Sequence, residues 1–155
     1  MRIAKYIANA GICSRRDAEK LIKNKKVFIN NIRCEHPSTL VTPKDKIIIN
    51  KKVVKLESRV RLWKMYKPIK VICTNKDPQN RKTVFDLIPK NYPRLISIGR
   101  LDFMSEGLLL FTNNGDFARQ MELPSSKLLR VYRVCINGSI NPAELTKIKN
   151  GIKIN

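Results

Sequence analysis

Residues 96–115 read ISIGRLDFMSEGLLLFTNNG, and the reading of the whole chain turns on them. A short apolar run, Leu95, Ile96 and Ile98, enters the charged turn Gly99-Arg100-Leu101-Asp102. Gly107 follows, then Leu108 to Phe111, then the turn Asn113-Asn114-Gly115. Continuous Leu, Phe and Thr residues over 108–112, bounded by turn signals, predict a strand buried on both faces; periodicity alone leaves a buried helix open. Such a run sets the acidic turn at the edge of the core, where a loop held by a rigid element can offer a carboxylate to solvent. An isolated Arg-x-Asp is more often only a turn whose Asp bonds its own main chain.

Outward from this stretch, composition narrows the possibilities. A chain of 155 residues makes one domain or two small ones, and 43% hydrophobic residues are enough for a packed core. The formal net charge is +20. Residues 1–60 carry 15 basic and 5 acidic groups and residues 61–155 carry 17 and 7, so each part is +10. This is no basic tail on a neutral body, and a polyanion touching both parts is the natural partner. Cys13, Cys34, Cys73 and Cys135 are scattered, with no C-x-x-C pair and only His36 to join them, so no zinc constellation is expected and the thiols should be reduced. The start, MRIAKYIANAG, lacks the continuous apolar core of a signal peptide, and no run approaches a membrane span. A soluble cytoplasmic protein without membrane contact is expected.

Upstream, Ile3, Tyr6, Ile7 and Ala10 recur at helical spacing up to Gly11, and Ser14 precedes Asp17 in a capping-box pattern that opens a second helix. Arg15, Arg16, Lys20 and Lys23 lie largely opposite its apolar face of Ala18, Leu21 and Ile22. Two hairpins are predicted, 27–34 turning at Asn30-Asn31 and 47–54 turning at Asn50-Lys51-Lys52. Residues 56–61 are a charged link. Beyond it, Leu62–Tyr66 and Lys70–Thr74 are strand candidates around Lys67-Pro68; residues 75–82 form a polar loop with three basic residues; and Thr83 to Asp86 repeats the capping box. Downstream, a short helix over 116–122 and a strand over 130–136, alternating with period two, are expected. Asn141-Pro142 should cap a last helix whose apolar face is Leu145 and Ile148.

The pattern Gly-Arg-Leu-Asp-x-x-Ser-x-Gly-Leu-Leu-Leu-x-Thr-Asn-x-Gly, residues 99–115, resembles the catalytic signature of RNA pseudouridine synthases of the RsuA/RluB-like branch. It departs at Ser105, where the family usually has Thr, and at Asn114, where it usually has Asp. Tyr66-Lys67-Pro68 and Val71 resemble the start of the same catalytic core, with Lys70 where Gly is usual. Residues 14–23, SRRDAEKLIK, with Val27-x-Ile29-Asn30 and Pro43-x-Asp45-x-Ile47, resemble the S4 RNA-binding domain, with Lys25 and Asn31 where Gly is usual.

These resemblances imply an α+β chain: an S4-like αα-β domain over 1–56, a linker over 57–61, and over 62–155 the first part of a synthase core with a mixed or antiparallel sheet. They imply isomerisation of a uridine in ribosomal RNA, a reaction needing neither cofactor nor metal. Asp102 matches the catalytic aspartate, as nucleophile at C1′ or base at C2′. Arg100 is implied at the vacated base or its phosphate, and Tyr132 at the target uracil. Arg15, Arg16 and Lys20 are implied to face RNA phosphates, with Lys67 and the basic loop 75–82 as further contacts. Two other readings stay open: a non-catalytic S4-type RNA-binding protein with a remnant synthase core, and a structural ribosomal protein, which would leave the Gly99–Gly115 signature unexplained. The family core continues past the segment matching Leu145 to Ile154, with further strands and a basic residue that pairs with the carboxylate. Residues 1–155 alone are therefore expected to be a truncated piece or half of a complex, binding RNA but isomerising uridine poorly.

Overall fold

The computed structural model of the chain describes residues 1–57, 59–139 and 141–152. Ser58 in the expected linker, and residues 140 and 153–155 in the expected catalytic part, lie outside the described residues.

Helix α1, Ile3–Asn9, buries Ile3, Tyr6 and Ile7 on the one face that their spacing creates. Helix α2, Arg15–Lys23, begins at Ser14, whose Oγ accepts the Asp17 N–H at 3.1 Å and donates to the Asp17 carboxylate at 2.6 Å. It ends in a Schellman turn: Lys25 stands at φ 58° and donates to the Ile22 carbonyl, and Lys26 donates to that of Leu21. Strands β1 (Val27–Ile29), β2 (Ile32–Arg33), β3 (Ile47–Ile49) and β4 (Lys52–Val54) form an antiparallel sheet in the order β2-β1-β3-β4. Both hairpins turn on two residues of positive φ, Asn30-Asn31 and Asn50-Lys51, the geometry that matches the twist of paired strands. Lys52 thus belongs to β4. Ile3, Ile7, Ala18, Ile22, Val27, Val41 and Ile47 close one buried cluster between the helices and this sheet.

The second sheet, in the order β5-β7-β6, is antiparallel, with β5 (Leu62–Lys67) and β6 (Ile96–Ile98) flanking β7 (Gly107–Thr112). Trp63 and Met65 pair with Phe111 and Leu109 on its inner face and pack with Val71, Val84 and Leu95 in a second cluster. Phe85, on a 3-10 turn over Val84–Leu87 closed by the Thr83/Asp86 capping box, meets Phe111 edge-on at 5.7 Å. Helix α3, Gly115–Glu122, is capped by Asn114 and packs against β6 and β7.

Three expectations are corrected. The central run is a strand, but not one buried on both faces: Leu109 and Phe111 are buried while Leu108 is 66% exposed, because the core covers one face of a three-stranded sheet. Lys70–Thr74 is no strand. Lys70 turns the chain at φ 61°, and pairing shrinks to a single parallel bridge between Ile72 and Thr83. Residues 130–136 form no strand either, and Val131 (85%), Tyr132 (67%) and Val134 (77%) are exposed. Alternation prepares a segment for pairing, but the strand exists only through its ladder, and among the described residues none is formed there. Helix α4, Pro142–Lys149, does form with Asn141 as its cap, though Ile148 on its apolar face stays exposed. No helix among the described residues is long and apolar enough to cross a membrane.

Candidate active site and nucleic-acid interface

Between β6 and β7 the chain makes the loop that carries Asp102. Gly99, at φ 72°, starts it with a backbone shape that a side chain would strain. Its main chain is then gripped from three directions. Glu122 on α3 accepts the Gly99 N–H at 2.7 Å, the Cys73 thiol accepts that of Leu101 at 3.4 Å, and Lys70 donates its N–H to the Phe103 carbonyl at 2.7 Å. The Lys67 Nζ donates to the carbonyls of Asp102 (2.9 Å) and Ser105 (2.7 Å), and the Ser105 N–H returns to the Asp102 carbonyl at 3.1 Å. All these bonds hold main chain. Asp102 is exposed, and among the described residues its carboxylate enters no ion pair. Chemically, the loop presents an ionisable carboxylate to solvent on a restrained backbone.

Lys67 corrects an expectation. It is wholly buried, and its third donor goes to the Pro68 carbonyl at 3.0 Å, so this side chain has no surface to offer a phosphate. The signal was in the sequence: Trp63, Met65 and Lys67 share the inward parity of β5, whereas Lys64 points the other way. Glu122 and Cys73, both used by the loop, carried no such signal, because each acts by a contact distant in sequence.

Arg100 lies next to Asp102 on the same loop, exposed, and forms no ion pair among the described residues. Tyr132 sits in the exposed 130–136 segment, so no ladder fixes it relative to Asp102. On α2, Arg15, Arg16 and Lys20 are all exposed. Arg16, Lys20 and Lys23 line a shallow depression with Glu19, Glu35 and Pro37. Lys20 leans on Asp17 at 3.4 Å, and Arg15 reaches within 4.0 Å of Asp116, which also holds Lys5 at 2.8 Å. In the 75–82 loop, Arg81 is engaged by Asp77 through Nε (3.1 Å) and Nη2 (2.9 Å), which holds the Asp77 carboxyl down at about 2. Arg81 is thus a loop-closing residue, leaving Lys76 and Lys82 as the loop's other cations. Among the described residues no three His, Cys, Asp or Glu side chains gather to hold a metal.

Known proteins resemble this chain along its whole length. The profile of the RNA pseudouridylate synthase family matches residues 61–155, and that of the S4 domain matches residues 1–47. The chain is 52% identical over 149 residues to an uncharacterized RNA pseudouridine synthase of Rickettsia bellii, covering 96% of this chain and 65% of that protein. It is 53% identical over 140 residues to another of Rickettsia typhi, covering 90% and 57%. With the ribosomal large subunit pseudouridine synthase B of Bacillus subtilis it shares 41% identity over 155 residues, covering 99% and 62%. The chain therefore spans 57–65% of the length of these relatives.

Proposed function

The chain belongs to the RNA pseudouridylate synthase family, and from that membership we propose that it converts a uridine of ribosomal RNA to pseudouridine with Asp102 as the reacting carboxylate. The observation that carries this reading is the restrained loop that leaves the Asp102 carboxylate exposed while its main chain is held. The reaction breaks the bond from C1′ to N1, turns the base, and joins C1′ to C5; the C5 proton leaves to solvent and N1 takes one up. Atoms and electrons balance within the nucleotide, so a positioned carboxylate, acting as nucleophile at C1′ or base at C2′, is the central group required. The target base must leave its stack to reach it. Arg100 then fills the vacancy or holds the flanking phosphate, and Tyr132 packs on the uracil. Stacking on such a ring contributes roughly 1–3 kcal/mol per base.

Arg15, Arg16 and Lys20 dock the RNA backbone on the S4 side, where phosphate attraction is strong and sequence-independent. The name of the Bacillus subtilis relative favours the large ribosomal subunit as the source of that RNA. A second reading, RNA binding without turnover, is favoured by the unpaired, exposed segment that carries Tyr132. Asp102→Asn separates the two. It keeps size and removes the ionised carboxylate, so tritium release from C5-labelled ribosomal RNA should stop while RNA affinity stays within about threefold, as expected where the lost group acts on the transition state. Release by the Asn variant at the parent rate would remove Asp102 from the mechanism.

A further inference from the structure

We propose that Phe103 and Met104 form an apolar platform for the nucleobase next to the target uridine; the inference rests on the reading of Asp102 as the carboxylate that reacts with RNA. The Ser105 N–H closes on the Asp102 carbonyl at 3.1 Å, so Phe103 and Met104 are the two central residues of a turn. Such places favour Pro, Asp, Asn, Ser and Gly, for backbone shape or for local hydrogen bonding. Here both hold large apolar side chains, and both are exposed, Phe103 at 38% and Met104 at 62%. Among the described residues neither joins the buried cluster on the inner face of the β5-β7-β6 sheet. Core packing therefore does not account for them.

The platform is held in place. The Phe103 carbonyl accepts the Lys70 N–H at 2.7 Å, and Lys67 holds the carbonyls of Asp102 and Ser105 on either side. The Lys70 bond also sets Ile69, itself exposed, near the turn. Three apolar side chains are too few for a stable protein partner, which covers roughly 20–30 residues a side. The exposed cations Lys70 and Arg100 flank them, so an apolar surface meets positive charge at its edge. A nucleobase with its phosphate has the matching chemistry, a π-face that stacks on a ring or a thioether and an anion beside it. Position selects which base. When the target uridine leaves its stack, the neighbouring base loses a covered face. Neighbouring bases lie about 3.4 Å apart along a strand and successive Cα atoms about 3.8 Å, so the two residues after Asp102 are in reach of that neighbour.

The test uses two probes, dodecauridylate and the same ribose-phosphate chain without its bases. Each is titrated against the purified chain and against a variant carrying Phe103→Ser with Met104→Ser. The parent should prefer the uridylate, and the variant should lose about tenfold of that preference, as expected for one lost stacking partner. Affinity for the abasic chain should stay within about twofold, because no phosphate contact is removed. A preference equal to the parent's would overturn the inference. So would an equal loss on both probes, which would assign the effect to the fold or to phosphate contacts. Ultraviolet cross-linking of the parent to dodecauridylate is the second measurement, and it decides alone should the variant not fold. A uridine adduct on Phe103 or Met104 is expected; adducts only on other residues, or none, would contradict it. Neither measurement needs turnover. Should Asp102→Asn release tritium at the parent rate, the functional reading fails there, and the base preference and the cross-link still decide the role of Phe103 and Met104.

Discussion

Lys25 stands at φ 58°, Asn31 at 69° and Lys70 at 61°, a region where a Cβ crowds the following carbonyl. Each occupies a place where the family patterns carry glycine. The chain holds only 6 glycines, and it makes these turns with Lys and Asn instead. Asn tolerates the region through its short polar side chain, but Lys has no such relief. Lys25→Gly and Lys70→Gly should therefore each stabilise the fold by about 0.5–1 kcal/mol, the αL strain being partly offset by the freer unfolded chain of glycine. Urea midpoints would rise for both variants; a fall in either would mean that its side chain contributes contacts outweighing the strain. Of these turns, the one at Asn31 could be read from sequence, whereas the one at Lys70 was hidden in an apolar run that reads as a strand. The role of Lys67 was less legible, since a lysine before a proline suggests the surface and only its parity with Trp63 and Met65 points inward.

Elements with local causes were the legible ones. Helices α1 and α2, the β1-β2 and β3-β4 hairpins and the Thr83 capping box each follow from spacing, a cap or a two-residue turn inside their own segment. The 70–74 and 130–136 segments failed as strands because a strand also needs a neighbour, which no local pattern supplies. The caps make the fold acid-sensitive in a defined direction. The Ser14 hydroxyl and Lys20 lower the Asp17 carboxyl; the Thr42 main-chain N–H and Asn30 lower Asp45; Arg81 holds Asp77 at about 2; and the Thr83 N–H and hydroxyl lower Asp86. Each folded value lies below the unfolded value near 3.9, so each contributes stability that is complete above about pH 4 and lost as pH falls through the folded value. The urea midpoint should hold flat from about pH 7 to 5 and decline from about pH 4 toward 2, with a shallower decline in Asp77→Asn. A parent midpoint unchanged down to pH 3 would contradict the assignment of these four carboxylates.

Across the whole molecule the excess charge is shared, +10 on residues 1–60 and +10 on residues 61–155, so RNA affinity should be dominated by phosphate contacts on both sides of the link. Replacing Arg15, Arg16 and Lys20 together by Ala should flatten the slope of log affinity against log salt by about 2 units for a single-stranded site, at about 0.7 per phosphate. An unchanged slope would place the RNA on another surface. The part whose buried cluster lies within residues 3–54 and the part whose cluster lies within 63–111 are linked by ion pairs from Asp116 to Lys5 and Arg15. The proposed function requires that the held loop of the second part act on RNA bound by the first. Mapping pseudouridines in the ribosomal RNA of cells with the gene intact, deleted, or carrying Asp102→Asn tests that most directly. One modified uridine should disappear on deletion and stay absent with the Asn variant present at normal levels; a map identical in all three strains would contradict the account.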